Sequence, residues 1–371
     1  MKSILSIVFF FFCLPVFGQK NYYLLVGTSR GKSSGIYVYD FNNKNGTTKI
    51  IDSIKSSNPS YLAVSDNQKF VYAVSEVVRE SNNGQVKAFA FDNKTGRLKL
   101  LNEQASMGDH PCYISIDKTG KWISVGNYSS GNFAVLPINQ DGSLGTPSAS
   151  IQHTGQGVNK SRQESPHVHA TVFSTDNNYL YVPDLGIDKV MIYSFNAKTG
   201  AITPSKDTAF KLEEGSGPRH IDFHPNGKWV YLIQEMAGTV TAFNYKNGRL
   251  ERIQSISSLP KGYSKPFTSA DIHVSPNGKF LYASNRDSSN TIAIFKIDQL
   301  TGKLYLSGHQ STLGKTPRNF NLDPSGNFLL VANQNSNSVV IFKINRQTGL
   351  LTDTGQRIDV GNPVCIKWIE K

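Results

Sequence analysis

The chain has 371 residues, 38% of them hydrophobic and 18% charged, with a formal net charge of +12. That length suffices for one large domain or two ordinary ones. Much of the basic excess sits in turns such as Asn93-Lys94-Thr95-Gly96-Arg97, Lys118-Thr119-Gly120-Lys121 and Asn226-Gly227-Lys228; no Lys/Arg run is interleaved with aromatics, which excludes a nucleic-acid surface, while a positive field favours gathering a small anion.

Residues 1–18 read as a secretory signal: Lys2 gives the positive start, Ile4 to Phe12 is an apolar run too short to span a membrane, and Val16-Phe17-Gly18 precedes a cut ahead of Gln19. The expectation is an exported protein, periplasmic or secreted, whose residues 19–371 form a single domain with no integral membrane segment. Lipid attachment at Cys13 is the alternative, and Phe10-Phe11-Phe12 match such sites poorly. Cys112 and Cys365 then remain, each just after a Pro at the start of an apolar strand, and read as separate buried thiols rather than a disulfide.

From Tyr22 onward one unit recurs at a period of about 50 residues. Second strands begin at Tyr23, Phe70, Trp122, Tyr179, Trp229, Phe280 and Phe328. Third strands such as Val86 to Phe91 and Val190 to Phe195 lead into turns carrying Gly46, Gly96, Gly142, Gly200, Gly248, Gly302 and Gly349. First strands start at Asn58-Pro59, His110-Pro111, Pro166-His167, Pro218-Arg219, Ser269-Ala270 and Pro317-Arg318. A last one, Asn362-Pro363, stands alone at the C-terminus, whereas the first repeat lacks one. The C-terminal strand must complete the N-terminal unit. Four short antiparallel strands per unit predict an all-β, seven-bladed β-propeller closed by its C-terminal strand. No Trp-Asp dipeptide ends a strand, so a WD40 repeat is not indicated.

The stretch Gly217 to Glu235 sets out the geometry of a unit. Ile221 and Phe223, then Trp229, Tyr231 and Ile233, alternate as in half-buried strands about a Pro225-Asn226-Gly227 turn. Arg219 and His220 at the start of the first strand should therefore meet Glu235 at the end of the second. First-strand starts and second-strand ends share one face of the ring. That face gathers Asn58, His110, His167, His169, Arg219, His220, Arg318 and Asn319 from the former, and Glu76, Asn127, Asp184, Gln234, Glu235, Asn285 and Arg286 from the latter. His167 and His169, two apart on a strand, should point to one side. Arginines suit an anionic substrate. Glu76, Asn127, Asp184 and Glu235 are the alternative, a Ca²⁺ cage. The long polar loops Ser150 to Pro166 and Ile256 to Thr268 are further carriers of function. There is no phosphate loop or dinucleotide fingerprint.

Arg162-Gln163, Ser165-Pro166-His167-Val168-His169, Gly217-Pro218-Arg219-His220, Phe223-His224-Pro225-x-Gly227, Gln234-Glu235 and Ser284-Asn285-Arg286 together resemble the seven-bladed lactonase family, over about Tyr22 to Trp368. That family includes a bacterial type of 6-phosphogluconolactonase and the fungal 3-carboxy-cis,cis-muconate lactonising enzymes. The resemblance implies His169, Arg219, Glu235 and Arg286 as catalytic residues. Arg162, His167, His220, Arg318, Gln234 and Asn285 are the substrate-binding candidates. The expected activity is hydrolysis of an acidic sugar lactone or similar anionic ring ester, with Glu235 or His169 as general base. The alternatives are the lactonising direction and a non-catalytic exported binding propeller. No cofactor and no metal are expected, because guanidinium groups would repel a divalent cation and already supply positive charge.

Overall fold

The computed structural model describes residues 21–77 and 84–371; the expected signal segment, with Cys13, lies outside them. Seven sheets of four strands each surround a central axis. In the first blade the innermost strand is Pro363–Glu370, followed outward by Tyr22–Thr28, Ile36–Phe41 and Thr48–Ile54. Antiparallel pairing from Tyr22 against Glu370 to Thr28 against Pro363 closes the ring, as the unpaired C-terminal repeat predicted. The innermost strands of blades two to seven are Leu62–Val64, Pro111–Ile116, Val172–Phe173, Pro218–Phe223, Ser269–Val274 and Pro317–Leu322.

The second strands are buried on both faces, not on one. Trp229–Gln234 is buried throughout. Trp229, Tyr231 and Ile233 pack with Ile272, Leu281 and Ala283 of the sixth blade, while Val230 and Leu232 pack with Tyr181, Val190 and Ile192 of the fourth. The apolar residues between the alternating aromatics serve the second core, as a nearly continuous apolar run requires.

Where these strands begin, each blade locks onto the next. A Cβ on Gly142 would come within 2.1 Å of the Phe70 ring, on Gly200 within 2.3 Å of Trp122, and on Gly349 within 2.4 Å of Phe280. The same pairing joins Tyr23 to Gly96, Tyr179 to Gly248, Trp229 to Gly302 and, across the closure, Phe328 to Gly46. All seven glycines have left-handed φ, between 71° and 85°, where a side chain is disfavoured anyway. Four of these contacts add a hydroxyl: Tyr72, Tyr181, Tyr231 and Tyr282 donate to the carbonyls of Gly142, Gly248, Gly302 and Gly349 at 2.7–3.0 Å.

Cys112 and Cys365 are buried free thiols on different blades. No helix among the described residues is long and apolar enough to cross a membrane.

Candidate active site

At the opposite end of the strands the repetition is used to build a cavity. Most inner strands start with a left-handed residue followed by Pro: φ is 47° at Asn58, 51° at His110, 62° at Gly217, 60° at Thr316 and 46° at Asn362. A register shift follows, between Pro111 and Tyr113, Pro218 and His220, Ser269 and Ile272, and Pro317 and Asn319. Such bulges re-aim a side chain. Here Cys112, Arg219 and Arg318 turn toward the axis, joined by Ser60 and Val364 at the same place in their blades.

The fourth blade differs. Its inner strand is reduced to Val172–Phe173, and Val168 makes an isolated bridge with Asp184. That bridge corresponds to Pro218 against Gln234. His169, not His167, therefore occupies the position of Arg219. The Pro166-His167 start predicted from sequence is two residues early, because the Asp184 carboxylate takes the His167 and Gly186 backbone N–H groups and holds His167 outside the strand.

The second strands contribute by strict alternation. Their last residues turn into the blades as latches. Asn127 donates to Ser106 O, Asn285 to Ser258 O and Asn333 to Thr312 O. Gln234 donates to Thr241 Oγ1 at 2.8 Å, and Asp184 holds His153 at 2.6 Å. The residue after the latch faces the axis: Glu76, Tyr128, Glu235 or Arg286. Together with Cys112, Arg162, His169, Thr268, Asp287 and Arg318 these line a cavity of about 340 Å³. Arg162 and Thr268 come from the two long loops singled out in the sequence. Below the cavity the axis is filled: Tyr61 stacks on Tyr113 at 4.1 Å, and His220 meets Tyr113 edge-on at 5.1 Å.

Glu235 is the electrostatic hub. Its Oε2 accepts from Arg219 Nε at 2.8 Å and pairs with Arg286 Nη2 at 3.0 Å, and its Oε1 accepts from Arg162 Nη2 at 2.5 Å. Burial alone would raise its pKa, but the guanidinium groups of Arg286, Arg219 and Arg162 hold it well below the usual carboxylate range. Arg219 is almost fully buried and also donates from Nη1 to Ala270 O and His220 Nε2. Burial brings Arg286 down to about 10, still charged at neutral pH. Arg318 faces Glu76 at 3.8 Å. His169 is pushed well below the usual imidazole range, by burial first and then by Arg219, His220 and Arg318. It is a neutral base at the cavity floor, with Nδ1 3.8 Å from Cys112 Sγ. Burial pushes that thiol up to about 12, so it is no nucleophile at neutral pH.

A family model described as "Lactonase, 7-bladed beta-propeller" matches residues 23–368. The chain belongs to this lactonase family. It is 40% identical over 336 residues to a 6-phosphogluconolactonase of Formosa agariphila, covering 90% of this chain and 95% of the relative. With the 6-phosphogluconolactonase of Bacillus subtilis it shares 35% over 350 residues, 93% and 98% of the two chains. Among solved structures it superposes on the periplasmic gluconolactonase of Pseudomonas aeruginosa with a TM-score of 0.89 at 34% identity, covering 94% and 99% of the two chains.

Within this propeller lactonase the structure brings His169, Arg219, Glu235 and Arg286 together, with Arg162 and Arg318 on the cavity wall. It does not bring the other candidates there. Gln234 and Asn285 are latches, turned into their blades by the alternation that sends Glu235 and Arg286 to the axis. His167 stacks flat on Tyr128 at 4.4 Å and supports that ring from behind. His220 lies beneath the floor, bonded to Asp271. Asn127 and Asp184 are likewise latches, so the four-residue calcium cage does not form. Among the described residues no group of three His, Cys, Asp or Glu side chains could hold a metal ion. Sequence reasoning missed Tyr128 and Cys112 as cavity residues. Their positions equivalent to Glu235 and Arg219 in the repeat were the available signal. A roomier cavity of about 480 Å³ opens on the opposite face among turn residues such as Asp66, Lys118 and Trp122. It holds neither His nor Arg.

Proposed function

We propose that this lactone hydrolase opens an anionic sugar lactone by water attack, with His169 as general base and the arginines as electrophiles. The observation that carries the reading is the division of labour around Glu235. Both its oxygens are engaged by guanidinium groups, so it is a poor base and a good organiser. The neutral imidazole of His169 borders the same cavity and makes no Nε2 hydrogen bond among the described residues. A water proton passes to His169 Nε2 as the water oxygen bonds to the lactone carbonyl carbon. Arg286 and Arg162 stabilise the oxyanion. Collapse breaks the ring C–O bond, and the leaving alkoxide takes the proton back from His169. Arg318, with the looser ion pair, receives the substrate's anionic group.

The reading also takes the chain to be exported, on the strength of the apolar Ile4 to Phe12 run after Lys2. The gluconolactone named for its periplasmic neighbour is thus a reasonable substrate beside the 6-phosphogluconolactone named for its curated relatives. The test is a pH-stat assay of purified protein against gluconolactone, its 6-phosphate and carboxymuconolactone. Hydrolysis of a sugar lactone supports the reading. Turnover of the muconate pair alone moves the assignment to lactonisation, and inertness on all three moves it to a binding module. N-terminal sequencing of the mature protein should begin at Gln19; an intact Met1 contradicts export.

A further inference from the structure

We propose that Asp271 is a positioning residue of the lactonase site, acting through the tautomer of His220 to hold Arg219 and, through it, Glu235. Asp271 sits on the inner strand of the sixth blade, one position beyond the ring of side chains that forms the cavity floor, and is buried.

The argument is one of donors and acceptors. Arg219 Nη1 lies 3.1 Å from His220 Nε2. A guanidinium can only donate, so Nε2 must present a lone pair. The imidazole proton is then on Nδ1, which faces Asp271 Oδ1 at 2.7 Å. Asp271 must in turn be an ionised acceptor, because everything around it donates. Oδ1 also takes the Ile272 backbone N–H at 3.0 Å, and Oδ2 takes His273 Nε2 at 3.0 Å and the Asn319 amide. Donation thus runs outward from Arg219 on both sides, through His220 to Asp271 and directly to Glu235. Beyond Glu235 the chain divides to Arg286 and Arg162 on the cavity wall. Reversing the His220 tautomer would set an N–H against an N–H at Arg219 and loosen the Arg219 Nε bond to Glu235.

In Asp271→Asn the side chain keeps its shape but becomes partly a donor among donors. The expected result on gluconolactone and its 6-phosphate is a fall in kcat on the order of 10²–10³, with KM changed by less than about threefold. His220→Gln supplies a carbonyl in place of Nε2 and has nothing in place of the Nδ1 proton. In that background Arg219 keeps an acceptor but is uncoupled from Asp271, so Asp271→Asn should cost less than about threefold more. Equal losses in the two backgrounds, or no loss in the wild-type background, would overturn the proposal.

The kinetic arm rests on the lactonase reading. A second arm does not: nitrogen-15 imidazole NMR of the wild-type protein at neutral pH should show His220 neutral with its proton on Nδ1. A proton on Nε2, or a doubly protonated ring, contradicts the proposal even if Asp271→Asn does not fold. Turnover of neither lactone, with the Nδ1 tautomer present, would sink the lactonase reading and leave the coupling of Asp271 to Arg219 standing.

Discussion

The two ends of the seven second strands hold opposite kinds of residue. At the starting end the positions are interchangeable. An aromatic ring meets a left-handed glycine of the next blade in every unit, from Tyr23 on Gly96 round to Phe328 on Gly46. At the finishing end, position for position, one finds Glu76, Tyr128, Glu235 and Arg286. No two adjacent blades repeat the same chemistry there. Seven similar blades need one repeated contact to close a ring, whereas a single off-centre reaction needs different contributions from different blades to one cavity. Repetition is the mark of the stabilising end and its breakdown the mark of the chemical end.

That contrast can be broken at either end, and the largest effect should come from breaking the ring itself. Deleting residues 362–371 removes the inner strand of the first blade, with Val364, Cys365, Ile366 and Ile369 all buried. At about 1.5–3 kcal/mol for each large apolar side chain, the loss rivals a whole domain's stability of about 5–15 kcal/mol. Calorimetry should find no cooperative transition at the wild-type temperature; an unchanged melt would refute the closure.

Arg219→Ala strikes the chemical end. It should lower kcat/KM by on the order of 10²–10³. It should also cost about 1–3 kcal/mol of stability, because Ala270 O and His220 Nε2 lose their buried donor while Glu235 keeps Arg286 and Arg162. Gly200→Val strikes the repeated end. The added Cβ would sit 2.3 Å from Trp122 at a φ of 72°, and about 2–4 kcal/mol should be lost. Activity per folded molecule should stay within about twofold, as active-site titration against the melting curve would show.

The pH dependence of stability sharpens the same contrast. Burial, then Arg219, lowers His220 from 6.5 to about 4, and His169 moves the same way. The unfolded chain therefore takes up protons first. The stability these groups contribute is complete above about pH 6.5 and is lost as pH falls toward 4, by about 3 kcal/mol for His220 alone. His273, raised by Asp271 against the opposing effect of its burial, runs in the opposite direction. Urea midpoints at pH 7, 5.5 and 4.5 should fall in that order, and His220→Gln should flatten the trend. The smallest expected effect is that of a chelator. The arginines already carry the positive charge the reaction needs, so EDTA should change the rate by less than about twofold.

Much of this was legible in the sequence, because repetition is what a sequence displays best. The period, the turn glycines and the orphaned Asn362-Pro363 strand together gave the blade count and the closure. Arg219 and Glu235 could be paired from the hairpin Gly217 to Glu235 alone. The candidates that miss the cavity do so for separate reasons. In the fourth blade the strand starts two residues later than the Pro166-His167 expectation, which leaves His167 outside the cavity while His169 lies in it as expected; nothing in Pro166-His167 reveals that Asp184 will hold the strand open. Gln234 and Asn285 were placed in the site because neighbouring residues of a strand look alike in sequence, although the pleat turns them to opposite sides. The Asp271–His220 contact joins residues 51 apart on different blades, and only the assembled channel brings them together.

The central claim is that the cavity at the finishing end carries out the hydrolysis and contributes little to holding the ring. Arg286→Ala tests it most directly, because Glu235 keeps Arg219 and Arg162 when Arg286 is removed. Steady-state hydrolysis of gluconolactone and its 6-phosphate should show kcat/KM reduced on the order of 10²–10³, with the melting temperature within a few degrees of wild type. Full activity in the variant on a lactone the wild type turns over would contradict the account.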